Sequence, residues 1–194
     1  MLPNVAISGP MYSGKSSIAL ALSEYKGYHR LSLSSSLKNV ASLAYGEIDK
    51  SETYVTSRRN GTVESVSGRH VLQQIGQVIK DFDRDFFLRC LDRDVGRYDG
   101  MPMTIDDLRF MHELDWLRPQ GWFIVAVSTP EYIRMHRAVA ISGRRPSAQE
   151  LGHESEVEIP LILSVADLIV SGDDDPYNNA AAILLAAEKW RAEK

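Results

Sequence analysis

Gly9-Pro10-Met11-Tyr12-Ser13-Gly14-Lys15-Ser16 is the part of the sequence whose residue types and spacing carry the most chemistry. Two glycines frame four residues, and a lysine and a hydroxyl follow at once. Glycine permits the backbone turns that aim successive N–H groups at one centre. A helix opening at Lys15 adds unpaired N–H groups and the positive end of its dipole. Lys15 then reaches the β- and γ-phosphates of a nucleotide, and Ser16 sets its hydroxyl on Mg²⁺. Gly9, Tyr12, Ser13, Gly14, Lys15, Ser16 and Ser17 are the expected nucleotide contacts. A plain glycine turn fits the same letters. An apolar strand before the segment and an amphipathic helix after it favour a phosphate site.

A phosphate loop alone does not separate a kinase from a GTPase, a motor or a regulator. The chain has no guanine-reading Asn-Lys-x-Asp segment, and it is short for a motor. Its scattered arginines suit a kinase for a small phosphorylated acceptor. Asp106 and Asp107 end the apolar run Met103-Thr104-Ile105. A carboxylate there orients Mg²⁺ waters or a nucleophile, unless the pair only caps a helix or faces solvent. Alternation from Ile105 favours Asp107, which is taken as catalytic and metal-binding. Arg109 follows within reach of a substrate phosphate. Arg134 and Arg137 lie three residues apart on one helix and can converge on the transferring group. Arg144 and Arg145 lie in a loop able to close over it.

Over 68–82, Val71, Leu72, Ile75, Val78 and Ile79 recur at helical spacing. Arg69, Gln73, Gly76 and Lys80 share a face of that helix, opposite much of the apolar stripe. Glycine there costs about 1 kcal/mol relative to alanine, which makes sense where a ligand or another backbone comes close. Arg69 and Gln73, with Lys38, are the expected acceptor contacts. His153-Glu154-Ser155-Glu156 offers either a metal or acid–base site or a capping box at a helix start, and Ser155 preceding Val157-Glu158, with His153 lacking partners, favours the box. Cys90 reads as core.

Positioning these groups requires an alternating chain. Strands are expected at 5–8, 29–33, 103–105, 121–128 and 166–170. Helices are expected at 15–26, 37–45 behind Ser34-Ser35-Ser36, 68–82, 84–95, near 112–118, 130–141, 161–165 and 176–194. Residues 143–152 read as loop. Residues 47–67 are polar, hold the turn signal Asn60-Gly61, and look the least ordered. Such alternation implies a parallel sheet flanked by helices, with ligands beyond the carboxyl ends of its strands.

The 194 residues suffice for one domain with a sizeable core. Hydrophobic content of 44% and charged content of 25% are ordinary for a soluble protein. No run approaches the roughly 18 apolar residues of a membrane span. The start, Met1-Leu2-Pro3-Asn4, has no charged n-region, and the single cysteine excludes an internal disulfide. These features lead us to expect a cytoplasmic protein, of a cell or of an infected host. The net charge of −4 argues against broad binding to nucleic acid or anionic membrane.

The succession of motifs resembles the phage-type deoxynucleoside monophosphate kinases of the P-loop kinase superfamily. It runs from the phosphate loop through Gly68-Arg69-His70-Val71-Leu72-Gln73-Gln74-Ile75-Gly76 and Asp83-Arg84-Asp85-Phe86-Phe87. It continues with Ile105-Asp106-Asp107-Leu108-Arg109-Phe110-Met111-His112-Glu113, His153-Glu154-Ser155-Glu156 and Ala166-Asp167-Leu168-Ile169-Val170. The resemblance implies a single three-layer α/β domain over 1–194, of P-loop NTPase fold with a five-stranded parallel sheet. A helical acceptor-binding insertion would span about 47–98 and a lid about 134–156. It implies transfer of the ATP γ-phosphate to a dNMP with Mg²⁺, and it admits a homodimer. Arg69 and Gln73 would face the monophosphate, Asp107 and Arg109 its strand end, and Arg134 and Arg137 the lid. Gln77 and Phe87 depart from the Thr and Trp that such proteins often carry there. Phosphomevalonate kinases of the animal type and dephospho-CoA kinases look like relatives, so a non-nucleotide phosphate ester is an alternative acceptor. A regulatory ATP-binding module without turnover is another.

Overall fold

The computed structural model describes residues 2–98 and 100–193. Met1 and the expected helix end at Lys194 lie outside the described residues. The chain forms β1 (Val5–Ser8), α1 (Lys15–Lys26), β2 (His29–Leu31), α2 (Ser35–Tyr45), β3 (Thr53–Ser57), β4 (Val63–Ser67), α3 (Gly68–Phe82) and α4 (Phe86–Val95). It continues with β5 (Met103–Leu108), α5 (Met111–Leu117), β6 (Phe123–Ser128), α6 (Glu131–Ser142), α7 (Ala148–Leu151), α8 (Glu154–Val157), α9 (Ile159–Val165), β7 (Leu168–Ser171) and α10 (Pro176–Ala192). Two compact units result: residues up to Ser32 with those from Asp94 onward, and Leu33–Arg93.

The first unit is a five-stranded sheet in the order β2-β5-β1-β6-β7, every neighbouring pair parallel. Central β1 is buried along its whole length, as a parallel strand covered on both faces must be. Val5, Ile7, Phe123 and Val125 meet Ile18 and Leu22 of α1 and Ile183 and Leu184 of α10 in one apolar cluster. Trp190 closes its rim edge-on to Phe123, ring centroids 5.5 Å apart. Alternation sends Ala6, Ile124 and Ala126 to the other face. There α9 packs on β1 and β6 and buries Ile159 and Ile162. No helix among the described residues is long and apolar enough to cross a membrane.

One irregularity bears on function. β1 and β5 pair at Ala6↔Ile105 and next at Ser8↔Leu108. Two residues of β5, Asp106 and Asp107, therefore oppose one of β1, Ile7, which makes a bulge. Alternation from Ile105 does not carry through a bulge, so the ground for preferring Asp107 to Asp106 is removed.

The second unit corrects the reading of 47–67. Thr53–Ser57 and Val63–Ser67 form an antiparallel hairpin with Thr53 opposite Ser67 and Ser57 opposite Val63. Asn60-Gly61 sits at its tip, where Asn60 Oδ1 accepts the Thr62 N–H at 3.0 Å. The insertion is thus a hairpin followed by helices rather than helical throughout. A second correction concerns Gly76. A Cβ there would lie 3.2 Å from Leu37 Cδ2, so the close neighbour is a side chain of α2 in the same unit. The serines before α2 also differ from expectation, because Ser34 makes no side-chain capping bond. Residues 143–152 are not all loop. Ser147 and Glu150 form a reciprocal capping box that starts the single turn α7.

Candidate active site

The loop from Gly9 to Ser16 links β1 to α1 at the carboxyl end of the sheet, where ligands bind in such folds. Gly9 has φ of 152°, and a Cβ on it would lie 2.7 Å from the Val127 carbonyl oxygen, so only glycine fits. Tyr12 has φ of 62°, alone among the described non-glycine residues in being positive. Lys15 is 6% exposed and curls back into the loop. Its Nζ donates to the carbonyls of Gly9 at 2.8 Å and Pro10 at 2.7 Å, and more weakly to Ser13 Oγ at 3.4 Å. Burial pushes its pKa down to about 7. The nearby Arg109 charge adds to that depression, while Glu156, Asp106 and Asp107 oppose it. Lys15 is therefore a buried amine held by weak acceptors, poised to take its charge fully when an anion arrives.

A cavity of about 450 Å³ opens beside the loop. Its walls include Tyr12 to Ser17, Arg137, Ile141, Gly172 and Asn179. Arg137 does not reach free into it. Its Nη2 donates to the Gly172 carbonyl at 2.7 Å and its Nη1 to the Ser13 carbonyl at 3.4 Å. Thr129 Oγ1 donates to the same Ser13 oxygen at 2.9 Å. Gly172 allows this closeness, since a Cβ there would lie 2.0 Å from the Ser13 oxygen. Arg134 goes elsewhere: its Nε donates to the Thr129 carbonyl at 3.3 Å. The two arginines expected to converge are thus bound to different carbonyls. Arg144 forms two bonds to Glu150, at 2.7 and 2.9 Å, and its hydrogen bond is the main reason the Glu150 pKa falls to about 2. Arg145 is exposed. His153 caps α8, its Nδ1 accepting the Ser155 N–H at 3.2 Å, so histidine rather than serine supplies the cap.

On the other side of the loop, Asp107 Oδ2 accepts from Ser32 Oγ at 2.7 Å, and Asp106 pairs with Arg30 at 3.7 Å. Arg109 Nη1 donates to the Gly9 carbonyl at 3.4 Å and to the Glu156 carboxylate. Glu113 fixes the local backbone by accepting the N–H groups of Arg109 at 2.8 Å and Phe110 at 3.1 Å. Among the described residues no three His, Cys, Asp or Glu side chains cluster to hold a metal. Magnesium asks for less, because it keeps waters and takes phosphate oxygens. The hard oxygens of exposed Ser16 and of the strand-end Asp107 fit that ion.

The other expected acceptor contacts lie in the second unit. Arg69 and Gln73 are half-buried on α3. Lys38 on α2 lines an open cavity of about 870 Å³ with Asn39, Ser42, Asp49 and Lys50. Sequence reading named Glu156 only within the 153–156 motif, without its place at the loop, and missed Gly172, Thr129 and Asn179. Only the stretch after Gly172 carried a usable signal. Asp175-Pro176 is a cap followed by proline at the first helical position, and Asp175 does accept the N–H groups of Tyr177 at 2.9 Å and Asn178 at 3.2 Å.

Neither a protein-family model nor a curated protein sequence matches the chain. Solved structures do match its fold. A gluconokinase from Sinorhizobium meliloti 1021 superposes with a TM-score of 0.58 at 15% identity, over 99% of this chain and 97% of its own. A shikimate kinase from Aquifex aeolicus vf5 gives 0.58 at 18% identity, over 95% and 96%. A tunicamycin resistance protein from Deinococcus radiodurans gives 0.56 at 13% identity, over 94% of each chain. At such identities the likeness is one of fold, a five-stranded parallel sheet flanked by helices, which the chain shares with the gluconokinase and the shikimate kinase.

Proposed function

We propose that the protein transfers the terminal phosphoryl group of ATP to a small phosphorylated acceptor, a deoxynucleoside monophosphate. One observation carries the reading. A buried lysine with a pKa pushed down to about 7 sits in a glycine-framed loop between a nucleotide-sized cavity and Arg109. A triphosphate entering the loop draws Lys15 off the Gly9 and Pro10 carbonyls, since a phosphate oxygen is the stronger acceptor for an ammonium. The cavity beside Arg137 takes the base and ribose. An oxygen of the acceptor phosphate then attacks the γ-phosphorus in line, and the bond to the bridging oxygen of ADP breaks. Lys15 and Arg109 stabilise the charge that develops on the transferring oxygens. Ser16 and Asp107 would hold Mg²⁺, which would supply positive charge to offset that of the phosphates.

Choice of a dNMP rests on the succession of motifs from Gly68 to Gly76, Ile105 to Glu113 and His153 to Glu156. A second reading, phosphoryl transfer to a non-nucleotide acceptor, is favoured by fold neighbours named gluconokinase and shikimate kinase. An assay that couples ADP release to a spectroscopic signal, run with each dNMP and with gluconate and shikimate, separates them. Turnover with at least one dNMP is expected. Turnover only with a sugar acid or shikimate supports the second reading. ATP binding without turnover on any acceptor leaves a regulatory module.

A further inference from the structure

A carboxylate against a phosphate loop is unexpected, because both the loop and its ligand are organised around negative charge on the ligand. Glu156 nevertheless lies there. Its Oε2 accepts the Met11 N–H at 3.0 Å, and its Oε1 accepts from Arg109 Nη1. The side chain is only 9% exposed. Proline has no N–H, so Met11 provides the first donor of the loop after Gly9. A backbone N–H and a guanidinium gripping two oxygens of one anion is the arrangement by which proteins hold phosphate. Arg109 is also only partly used. Its Nε and Nη2 donate to nothing among the described residues. The segment bearing Glu156 is pinned a second time, where Glu158 Oε2 accepts the Met111 N–H at 2.6 Å. Glu156 further supports the positive charge of buried Lys15, a service any anion in its place would render.

We propose that the Met11 N–H and Arg109 form an anion subsite for the terminal phosphoryl group of the bound triphosphate. Glu156 fills this subsite in the empty protein and leaves it when the triphosphate enters. The inference rests on the reading of the loop as an ATP site. It has a consequence specific to chain length in the ligand. ADP has no third phosphate and leaves Glu156 in place, whereas ATP must displace it. Part of the binding free energy of ATP therefore goes into moving the carboxylate, and removing that carboxylate favours ATP over ADP.

The test is calorimetric titration of ATP and of ADP, each with Mg²⁺ and without acceptor, into the full chain. Glu156→Gln is expected to bind ATP roughly tenfold tighter, with ADP affinity unchanged within about twofold. The Tm of the empty variant should fall, because Met11 and Arg109 lose their charged partner. A residue that only holds the segment in place would weaken both ligands along with the fold. Glu158→Gln, which loosens the same segment away from the subsite, should leave the ATP-to-ADP ratio as in wild type. Should Glu156→Gln not fold, Glu156→Asp takes its place. It keeps the charge but is one methylene too short for both partners, and it should shift the ratio in the same direction by less. Equal changes for ATP and ADP, or weaker ATP binding, overturn the subsite. If wild type binds neither nucleotide, the ATP reading falls as well. If it binds both and the ratio ignores Glu156, the subsite alone falls.

Discussion

Arg109 and Arg137 stand on either side of one phosphate loop and are held in different ways. Arg137 donates to two backbone carbonyls, those of Gly172 and Ser13. Arg109 donates to one carbonyl, that of Gly9, and to a carboxylate on the one-turn helix α8. Backbone carbonyls in a packed sheet connection cannot leave, so Arg137 acts as a brace between the loop and the end of β7. A carboxylate at the end of a long side chain can leave, and an incoming phosphate is a better partner for the guanidinium it frees. The same residue type beside the same loop is thus a fixture on one side and an exchangeable charge on the other. The difference lies in the partner, not in the arginine.

Lys15 serves both sides, so Lys15→Ala should do the most damage. Turnover is expected to fall by about 10²–10³-fold, the usual loss when one preorganised donor to a developing oxyanion is removed. Circular dichroism should show the variant folded, and near-wild-type turnover in that protein would refute the mechanism. Gly172→Ala comes next. Its Cβ would clash with the Ser13 oxygen and with Thr129 Oγ1, which lies 2.1 Å away, so a loss of about 3 kcal/mol in urea unfolding is expected. An unchanged midpoint would mean that the braced side is looser than described.

The arginines themselves sharpen the contrast. Arg109→Ala should lower kcat by about 10²-fold, since it removes charge that matters in the transition state, and should lower the unfolding midpoint by less than Arg137→Ala does, since Glu156 keeps the Met11 N–H as a partner. Arg137→Ala should cost about 2 kcal/mol of stability, because it strands the Gly172 carbonyl, which now accepts from a charged donor, and leaves the Ser13 carbonyl to Thr129 alone. Exchange of these two outcomes would break the comparison outright.

The smallest effect is a proton. Between pH 7 and 10.5 the unfolded chain keeps the Lys15 proton that the folded, empty protein has lost. This group therefore makes the empty protein more stable as pH rises through that window. A bound phosphate restores the charge, so ATP binding at pH 8 should take up protons from solution. Titrations in two buffers of different ionisation enthalpy measure the uptake, and identical heats in both would contradict it.

The strand–loop–helix unit from Val5 to Lys26 was legible residue by residue because its signals are local. An apolar run, fixed glycines and a terminal glycine each act within a few positions. The hairpin Thr53–Ser67 was harder. Its strands are polar enough to pass for a loop, and the alternation of Tyr54 and Thr56 with Val55 was the signal overlooked. Asp107 was chosen by an alternation that the bulge at 106–107 interrupts, and single-strand periodicity cannot show an extra residue in a pair. Gly76 was taken as room for a ligand or another backbone, whereas the room belongs to the side chain of Leu37, a distant partner in sequence that no helical wheel contains.

What the sequence determined by itself was a glycine-framed loop, its lysine and hydroxyl, and the alternating elements that make a parallel sheet. These follow from backbone sterics and short-range patterning, which a chain carries wherever it folds. Tertiary structure alone decided which charges meet at the loop. Glu156 lies 145 positions from Met11, and its neighbours in sequence suggested a helix cap or an acid–base site but no contact with the loop. Packing α9 on β1 and β6, with α8 directly before it, brings that carboxylate to the loop. Pairing across such separations is set by how layers stack, and no local rule encodes it.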